Sequence, residues 1–354
     1  MGYKIHQVID ALDYGDAVSN HCLELQEIFN EFGIPNTIYS KFYNEKVAKH
    51  RLSIEKIKVA EEDVLIFHFS GKSVVIEDIV KLSCKKIMIY HNITPHYYFE
   101  GMEPHYTHCL EGRQQLVQLS EKFDLYVGVS EYNVMELSEI GCSPCAILPI
   151  TVDLEIKNTP PRNKGVVGDG RKFIFVGRVA PNKRHEDVLN IFEYYYTYIN
   201  TNSELFLIGN YSDYELYYKR LVNIVDTLNS KERITFTGKV TSEELDYHYK
   251  SADAFISMSE HEGFCVPLLE SMSYGVPTFA YSAGAIDSTI GNAGIKILLK
   301  DTERIAELID YVIENKKLEK EVIDKQYDWL NNFSVSKTKI ALRKILDQVK
   351  KNDG

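Results

Sequence analysis

The stretch Ala254-Phe-Ile-Ser257, then Ser259-Glu-His-Glu-Gly-Phe-Cys-Val-Pro-Leu-Leu-Glu270, then Pro277-Thr-Phe-Ala-Tyr281 decides the fold class. Two short apolar runs flank a turn-rich segment and a helix-like run, so the order is strand, turn, helix, strand. That unit recurs. Further strands are expected at residues 4–9, 37–40, 64–69, 86–91, 125–130 and 146–150, then at 172–177, 205–209 and 234–238. Helices are expected at 20–32 and 112–123 among others. Strands alternating with crossover helices pair in parallel, which makes this an α/β chain.

With 354 residues, 44% of them hydrophobic and 26% charged, the chain has globular composition and is too long for one ordinary core. Residues 153–171 hold Pro160, Pro161, Gly165, Gly168 and Gly170, too many turn formers for a helix or strand. The expected boundary lies there, giving domains 1–155 and 156–335. A last helix over 336–350, within a tail of 336–354, is expected to pack back on the first domain.

A formal net charge of −11 argues against a polyanionic partner such as nucleic acid. Six scattered cysteines fit reduced thiols and a cytoplasmic location. The N-terminus lacks the pattern of a signal peptide, and no run approaches the roughly 20 apolar residues of a membrane span. Residues 41–58 carry six basic side chains against two glutamates. This local inversion suits peripheral contact with anionic lipid headgroups on the inner membrane face, although a solvated charged face reads the same way.

Within 259–270, Pro267 suits a first helical position, because the amide it lacks would have had no helical partner. The Cys265, Val266 and Leu268 amides then point outward and, with the helix dipole, form an anion site. Gly263 lets backbone come close to a ligand. Phe264 lies in the same turn. Glu262 before the helix and Glu270 in its first turn can bracket one ligand by accepting its hydroxyl protons. An ordinary acidic first turn would contain the same glutamates.

Phe173-Ile-Phe-Val-Gly-Arg178, followed by Lys183 and a helix from about His185, places a glycine turn and two cations after a strand. Arg178 offers a fork and Lys183 a point charge, and both would stabilise negative charge building on a departing phosphate. Two solvated surface cations would look alike in sequence.

Together these segments resemble the retaining glycosyltransferases of GT-B fold. Their signature is a pair of glutamates eight apart, here Glu262 and Glu270, with an upstream Gly-Arg and Lys, here Gly177, Arg178 and Lys183. The resemblance implies two Rossmann-like domains with parallel sheets facing across a cleft. It implies Arg178 and Lys183 on the donor diphosphate, Glu270 on the ribose and Glu262 on the transferred sugar. By the same resemblance, the loops after Gly209 and Gly238, with Lys239 and Val240, hold the base, and no metal or other cofactor is needed.

In the first half, Tyr14-Gly-Asp-Ala-Val-Ser-Asn20 resembles the family's first glycine loop, with Gly15 and Asp16 near the ligand and Asn20 able to cap. Many members carry two adjacent glycines there, and a plain strand-to-helix turn explains the segment equally. His91-Asn-Ile-Thr-Pro95 puts a histidine at a strand's carboxyl end, where open α/β sheets bind ligands. The resemblance makes His91 a contact of the donor sugar. With Gly112-Arg-Gln-Gln115 and Ser130-Glu-Tyr-Asn133, it extends to bacterial surface-polysaccharide transferases. Cys142-Ser-Pro-Cys145 has zinc-half spacing but no second ligand pair, so it is assigned no function.

The function expected is transfer of a sugar from a nucleotide-sugar donor to a glycan or lipid-linked acceptor, with Glu262, His91, Arg178 and Lys183 as the catalytic groups. A sugar-nucleotide epimerase or phosphorylase of related fold, or a non-catalytic sugar-nucleotide-binding protein, shares the same features. A dinucleotide-dependent oxidoreductase does not fit, since no G-x-G-x-x-G follows any expected strand.

Overall fold

The computed structural model describes residues 2–151 and 170–351. The expected boundary between 155 and 156, and the turn-rich segment around it save for Gly170 and Arg171, lie outside the described residues. Two compact units form, one from Met1–Thr151 with Phe333–Gly354 and the other from Val152–Asn332.

The first unit contains β1 (Ile5–Leu12), α1 (Ala17–Glu31), β2 (Asn36–Tyr43), β3 (Arg51–Ser53), β4 (Val64–Phe69), α2 (Ile76–Ile79), β5 (Lys85–Tyr90), α3 (His105–Gln118), β6 (Leu125–Gly128), α4 (Glu131–Glu139) and β7 (Cys145–Ile147). The second contains β8 (Arg171–Val176), α5 (His185–Tyr198), β9 (Ser203–Ile208), α6 (Glu215–Val225), β10 (Ile234–Gly238), α7 (Ser242–Ser251) and β11 (Ala254–Ser257). It continues with α8 (Val266–Ser273), β12 (Thr278–Tyr281), α9 (Ile286–Ile290), β13 (Ile295–Ile297), α10 (Thr302–Glu314) and α11 (Lys316–Leu330). Helix α12 (Val335–Lys351) belongs to the first unit, where Leu342, Ile345, Leu346 and Val349 are buried and Thr151 donates a hydroxyl hydrogen bond to Thr338 at 3.2 Å.

Both sheets are wholly parallel, ordered β3-β2-β1-β4-β5-β6-β7 and β10-β9-β8-β11-β12-β13. Central strands read as continuous apolar runs because helices cover both faces; all six residues of β4 are buried. One cluster unites Leu65, Phe67 and Met88 with Leu116 of α3 and Leu137 of α4, while another joins Ile9 and Ile38 to Cys22 of α1. Fully burying each such side chain contributes roughly 1.5–3 kcal/mol.

In each sheet the chain first winds toward one edge, then returns to lay a strand on the other side of its first. The order therefore reverses between β1 and β4 and again between β8 and β11. Loops leaving adjacent strands in opposite directions open a crevice at their carboxyl ends. The glycine turn after Val176 and the segment from Ser259 leave the second unit's crevice, and the turn over residues 13–16 leaves the first unit's.

Helix α1 begins at Ala17, with Asp16 rather than Asn20 as its cap: the Asp16 carboxylate accepts from the Ser19 amide at 3.1 Å. Helix α3 starts well before Gly112, an interior position that must be glycine because a Cβ there would lie 2.6 Å from the Lys72 amide nitrogen. Strands β3 and β13, three residues each, are additional to those expected.

Candidate active site

At the second crevice, Lys183 ends a short 3₁₀ turn (Pro181–Lys183) and donates to the Glu262 carboxylate at 2.6 Å. Backbone ties hold the two loops together. Asn182 donates from its side chain to the His261 carbonyl at 3.0 Å, and the Glu260 amide donates to the Asn182 carbonyl at 2.8 Å. Outside them Lys300 bridges Asp187 at 2.6 Å and Glu260 at 2.7 Å, and Arg184, left-handed at φ 53°, pairs with Glu186, Asp187 and Glu260. A third loop supports Glu262 from behind. The Ala285 amide donates to its carbonyl at 3.0 Å, and a Cβ on Gly284 would come within 2.9 Å of that oxygen.

Cys265 caps α8 in the left-handed region at φ 73°, an uncommon conformation for a residue with a side chain. It turns the chain so that its own amide and that of Val266 have no backbone acceptor among the described residues. The Leu268 amide, expected to point outward, instead donates to the Cys265 carbonyl at 3.1 Å. Burial, with the Glu262 carboxylate beside it, pushes the Cys265 thiol well above its ordinary range, so it is a neutral thiol and not a thiolate nucleophile. Helix α8 starts at Val266, one residue before Pro267, so Glu270 falls in the second turn and the first turn holds no acid. The Glu270 carboxylate accepts from the Tyr249 hydroxyl at 2.8 Å. Burial and that carboxylate keep the Tyr249 phenol protonated, and its ring stacks on Tyr274 at 5.0 Å.

Arg178 is exposed, with no hydrogen-bond or ion-pair partner among the described residues. Gly177 and Gly209 meet each other: a Cβ on Gly209 would lie 2.0 Å from the Gly177 carbonyl oxygen. Backbone packing thus already requires glycine at 209. Gly238, at φ 70°, faces the Tyr211 ring, which stacks on Tyr218 at 4.2 Å. Lys239 is exposed and Val240 half-buried beyond it.

In the first unit, a cleft of about 270 Å³ is lined by Asp10, Asp13, Asp16, His68, Lys72 and His108, among others. Gly15, at φ 77°, makes the turn beside it. His91 follows β5 immediately, and its Nε2 lies 3.0 Å from Nδ1 of His68. The peptide after it is tightly held. Asn92, at φ 79°, donates to Asn133 at 3.0 Å and Glu136 at 2.7 Å; Arg113 donates to the Ile93 carbonyl at 2.5 Å and to Glu136 at 2.8 Å. Gln115 clamps the Ser73 backbone through both ends of its amide, at 2.7 and 2.9 Å.

Residues 157–329 match the family model described as glycosyl transferases, group 1. The matched residues lie in the second unit. An uncharacterized glycosyltransferase of Methanocaldococcus jannaschii is 28% identical over 207 residues, covering 54% of this chain and 51% of that one. The O-antigen chain mannosyltransferase B of Escherichia coli is 28% identical over 133 residues, 38% of this chain and 34% of that one. The chain thus spans about half or less of the length of these curated relatives. Among solved structures, sucrose-phosphate synthase from Thermosynechococcus elongatus aligns with a TM-score of 0.76 at 14% identity, covering 99% of this chain and 100% of that one. The Anabaena protein HepE, solved in complex with UDP-glucose, aligns with a TM-score of 0.74 at 14% identity, covering 97% and 99%. The fold they share with this chain is the GT-B fold of two Rossmann-like, parallel-sheet domains.

Within the matched residues 157–329, the structure brings Lys183, Glu262, Gly263, Phe264, Cys265 and Val266 onto adjoining loops at one crevice. Gly177 and Arg178 leave the strand beside them, and Glu270 lies one turn along α8. Sequence reasoning did not find Asn182, Arg184, Lys300, Gly284 or Tyr249. Each acts through a contact distant in the chain, so none has a local signature. In the first unit, Gly15, Asp16 and His91 lie at the carboxyl ends of β1 and β5, with the Asp16 carboxylate already engaged as a helix cap. Among the described residues no helix is long and apolar enough to cross a membrane.

Proposed function

We propose that the chain is a retaining glycosyltransferase that moves a sugar from a nucleotide-sugar onto a glycan or lipid-linked acceptor of the bacterial cell surface. One observation carries the reading: the Lys183 ammonium is tied to the loop that presents the Cys265 and Val266 amides at the start of α8. A cation and two N–H groups on adjoining loops suit a diphosphate, with exposed Arg178 supplying a second cation. Lys183 and Arg178 stabilise the charge that develops as the nucleoside diphosphate departs. Glu270, oriented by Tyr249, accepts ribose hydroxyls, Glu262 accepts hydroxyls of the transferred sugar, and His91 contacts a sugar hydroxyl. The loops at Gly209, Lys239 and Val240 face the base.

Retention rests on the resemblance to the glutamate-pair transferases, and a covalent intermediate has no suited nucleophile at this crevice among the described residues: the Cys265 thiol is neutral and Glu262 is held by Lys183. Attack from the leaving group's own face follows. The names of relatives that use GDP-mannose or build O-antigen, and the UDP-glucose bound by HepE, support a nucleotide-sugar donor and a surface-glycan acceptor. The basic segment 41–58, with exposed Phe42, Tyr43 and Leu52 about it, is the face we assign to an anionic membrane surface.

Incubation with UDP-, GDP- and dTDP-sugars, with and without acceptor glycans, tests this. Slow donor hydrolysis, accelerated by acceptor and giving a product of unchanged anomeric configuration, is expected. Unaltered turnover in Glu270→Ala rejects the assignment, as does an epimerised or phosphate-dependent product.

A further inference from the structure

We infer that Gln7 and His68 are positioning residues that hold His91 in a single tautomer, with the proton on Nε2 and Nδ1 bare to accept a hydrogen bond from a ligand hydroxyl. The ligand half of this inference rests on the reading of His91 as a sugar contact; the tautomer half does not.

The chain of bonds leaves no freedom of direction. The Gln7 side-chain nitrogen donates to the Cys22 carbonyl at 3.1 Å, and a carbonyl only accepts, so the amide oxygen of Gln7 must face the other way. That oxygen lies 3.0 Å from Nε2 of His68 and cannot donate, so the proton between them belongs to His68. A neutral imidazole carries one N–H, which leaves Nδ1 of His68 bare. The proton in its 3.0 Å contact with Nε2 of His91 therefore belongs to His91, and Nδ1 of His91 is left as an acceptor. Burial, with the neighbouring histidines, pushes both rings well below the ordinary histidine range, so neither gains the second proton that would blur this order.

Nδ1 of His91 is buried with no partner among the described residues, and buried acceptors in folded proteins are rarely left so. A ligand hydroxyl satisfies it, whereas an anionic oxygen would meet a lone pair. The contact thus selects a hydroxyl donor over a phosphate or carboxylate. His21 stands edge-on to both rings, at 5.4 Å from His91 and 6.2 Å from His68. The three histidines bring one nitrogen each within 4.8 Å of one another, the arrangement a divalent metal could also use. In the tautomers derived above the bare Nδ1 of His68 is already taken by the His91 N–H, so a metal there would have to displace that hydrogen bond.

The test is tautomer-sensitive ¹H–¹⁵N spectroscopy of the full chain labelled in histidine, joined to hydrolysis assays with UDP-glucose and GDP-mannose. His68 and His91 should both show the Nε2–H form at pH 7. His68→Leu should release His91 into a tautomer mixture and lower kcat/KM at least tenfold. His68→Asn, whose side-chain oxygen replaces Nδ1 as acceptor, should restore both. An Nδ1–H form of His91 in the native chain, or an unchanged His91 signal in His68→Leu, overturns the inference. So does stoichiometric zinc that co-purifies and perturbs these signals. The spectra read out even if neither donor is hydrolysed, so failure of the transferase reading stays separate. A tautomer that shifts in His68→Leu with unchanged hydrolysis overturns the ligand half and the role of His91 with it.

Discussion

Replacing Lys183 by methionine, Glu262 by glutamine, and both together tests the central ion pair. At 2.6 Å and an effective dielectric constant of about 20, the attraction is about 6 kcal/mol before desolvation is subtracted. Removing one member of a buried pair costs roughly 3–5 kcal/mol, chiefly because the other is stranded. The two side chains here keep 18% and 9% exposure, so about 3 kcal/mol is expected for Lys183→Met, a fall of roughly 6–12 °C in Tm for a domain of this size. Glu262→Gln should cost less, since a neutral amide tolerates the site better than a stranded charge. The double variant should recover at least 1.5 kcal/mol of the summed losses in urea denaturation. Isothermal titration with UDP or GDP adds a second readout. In the free chain Glu262 competes for Lys183, so Glu262→Gln should bind the nucleoside diphosphate more tightly while losing transfer, and Lys183→Met should bind it weakly. Additive stabilities, together with weaker diphosphate binding in Glu262→Gln, would refute the reasoning.

Gly209→Ala should destabilise by about 2–3 kcal/mol in chemical denaturation, because its methyl meets the Gly177 carbonyl backbone, which has no side chain to move aside. Arg178→Ala should leave stability within about 0.5 kcal/mol yet raise the donor KM roughly ten- to hundredfold, measured by initial rates. Acid should weaken the first unit: His21, which burial pushes down to about 4, stays neutral when folded but takes up a proton below pH ~6.5 when unfolded. Stability is then complete above pH ~6.5 and falls by about 1.4 kcal/mol per pH unit toward pH 4, a slope that His21→Leu should reduce in denaturation series. Vesicles of phosphatidylglycerol should capture the chain in low salt. Replacing Lys46, Lys49, Lys56 and Lys58 by glutamine should abolish co-sedimentation without changing the melting temperature.

The alternation of apolar runs made both parallel sheets legible because parallel strands covered on two faces cannot hide their composition; β10 and β11 fall where the runs do. Strands β3 and β13 escaped because three residues such as Arg-Leu-Ser or Ile-Lys-Ile carry no periodicity. Residues 112–123 misplace α3 because an interior glycine mimics a boundary, and the reason for that glycine lies in another loop, at Lys72. The same limit governs the site. Glu262, Cys265 and Glu270 lie close in the chain and announce themselves. The partner of Glu262 lies on a different loop, and Tyr249, which orients Glu270, sits on another helix. Nor does sequence order distinguish a glycine that meets a ligand from one, such as Gly209, that meets another strand end.

Helix α12 covers the first unit but is synthesised after the whole second unit. On the ribosome, residues 1–151 therefore emerge with the seat of Leu342, Ile345, Leu346 and Val349 bare, and the second unit can reach its own native state while the first still waits for its last piece. Completion of the first unit thus waits for the last helix of the chain to be made.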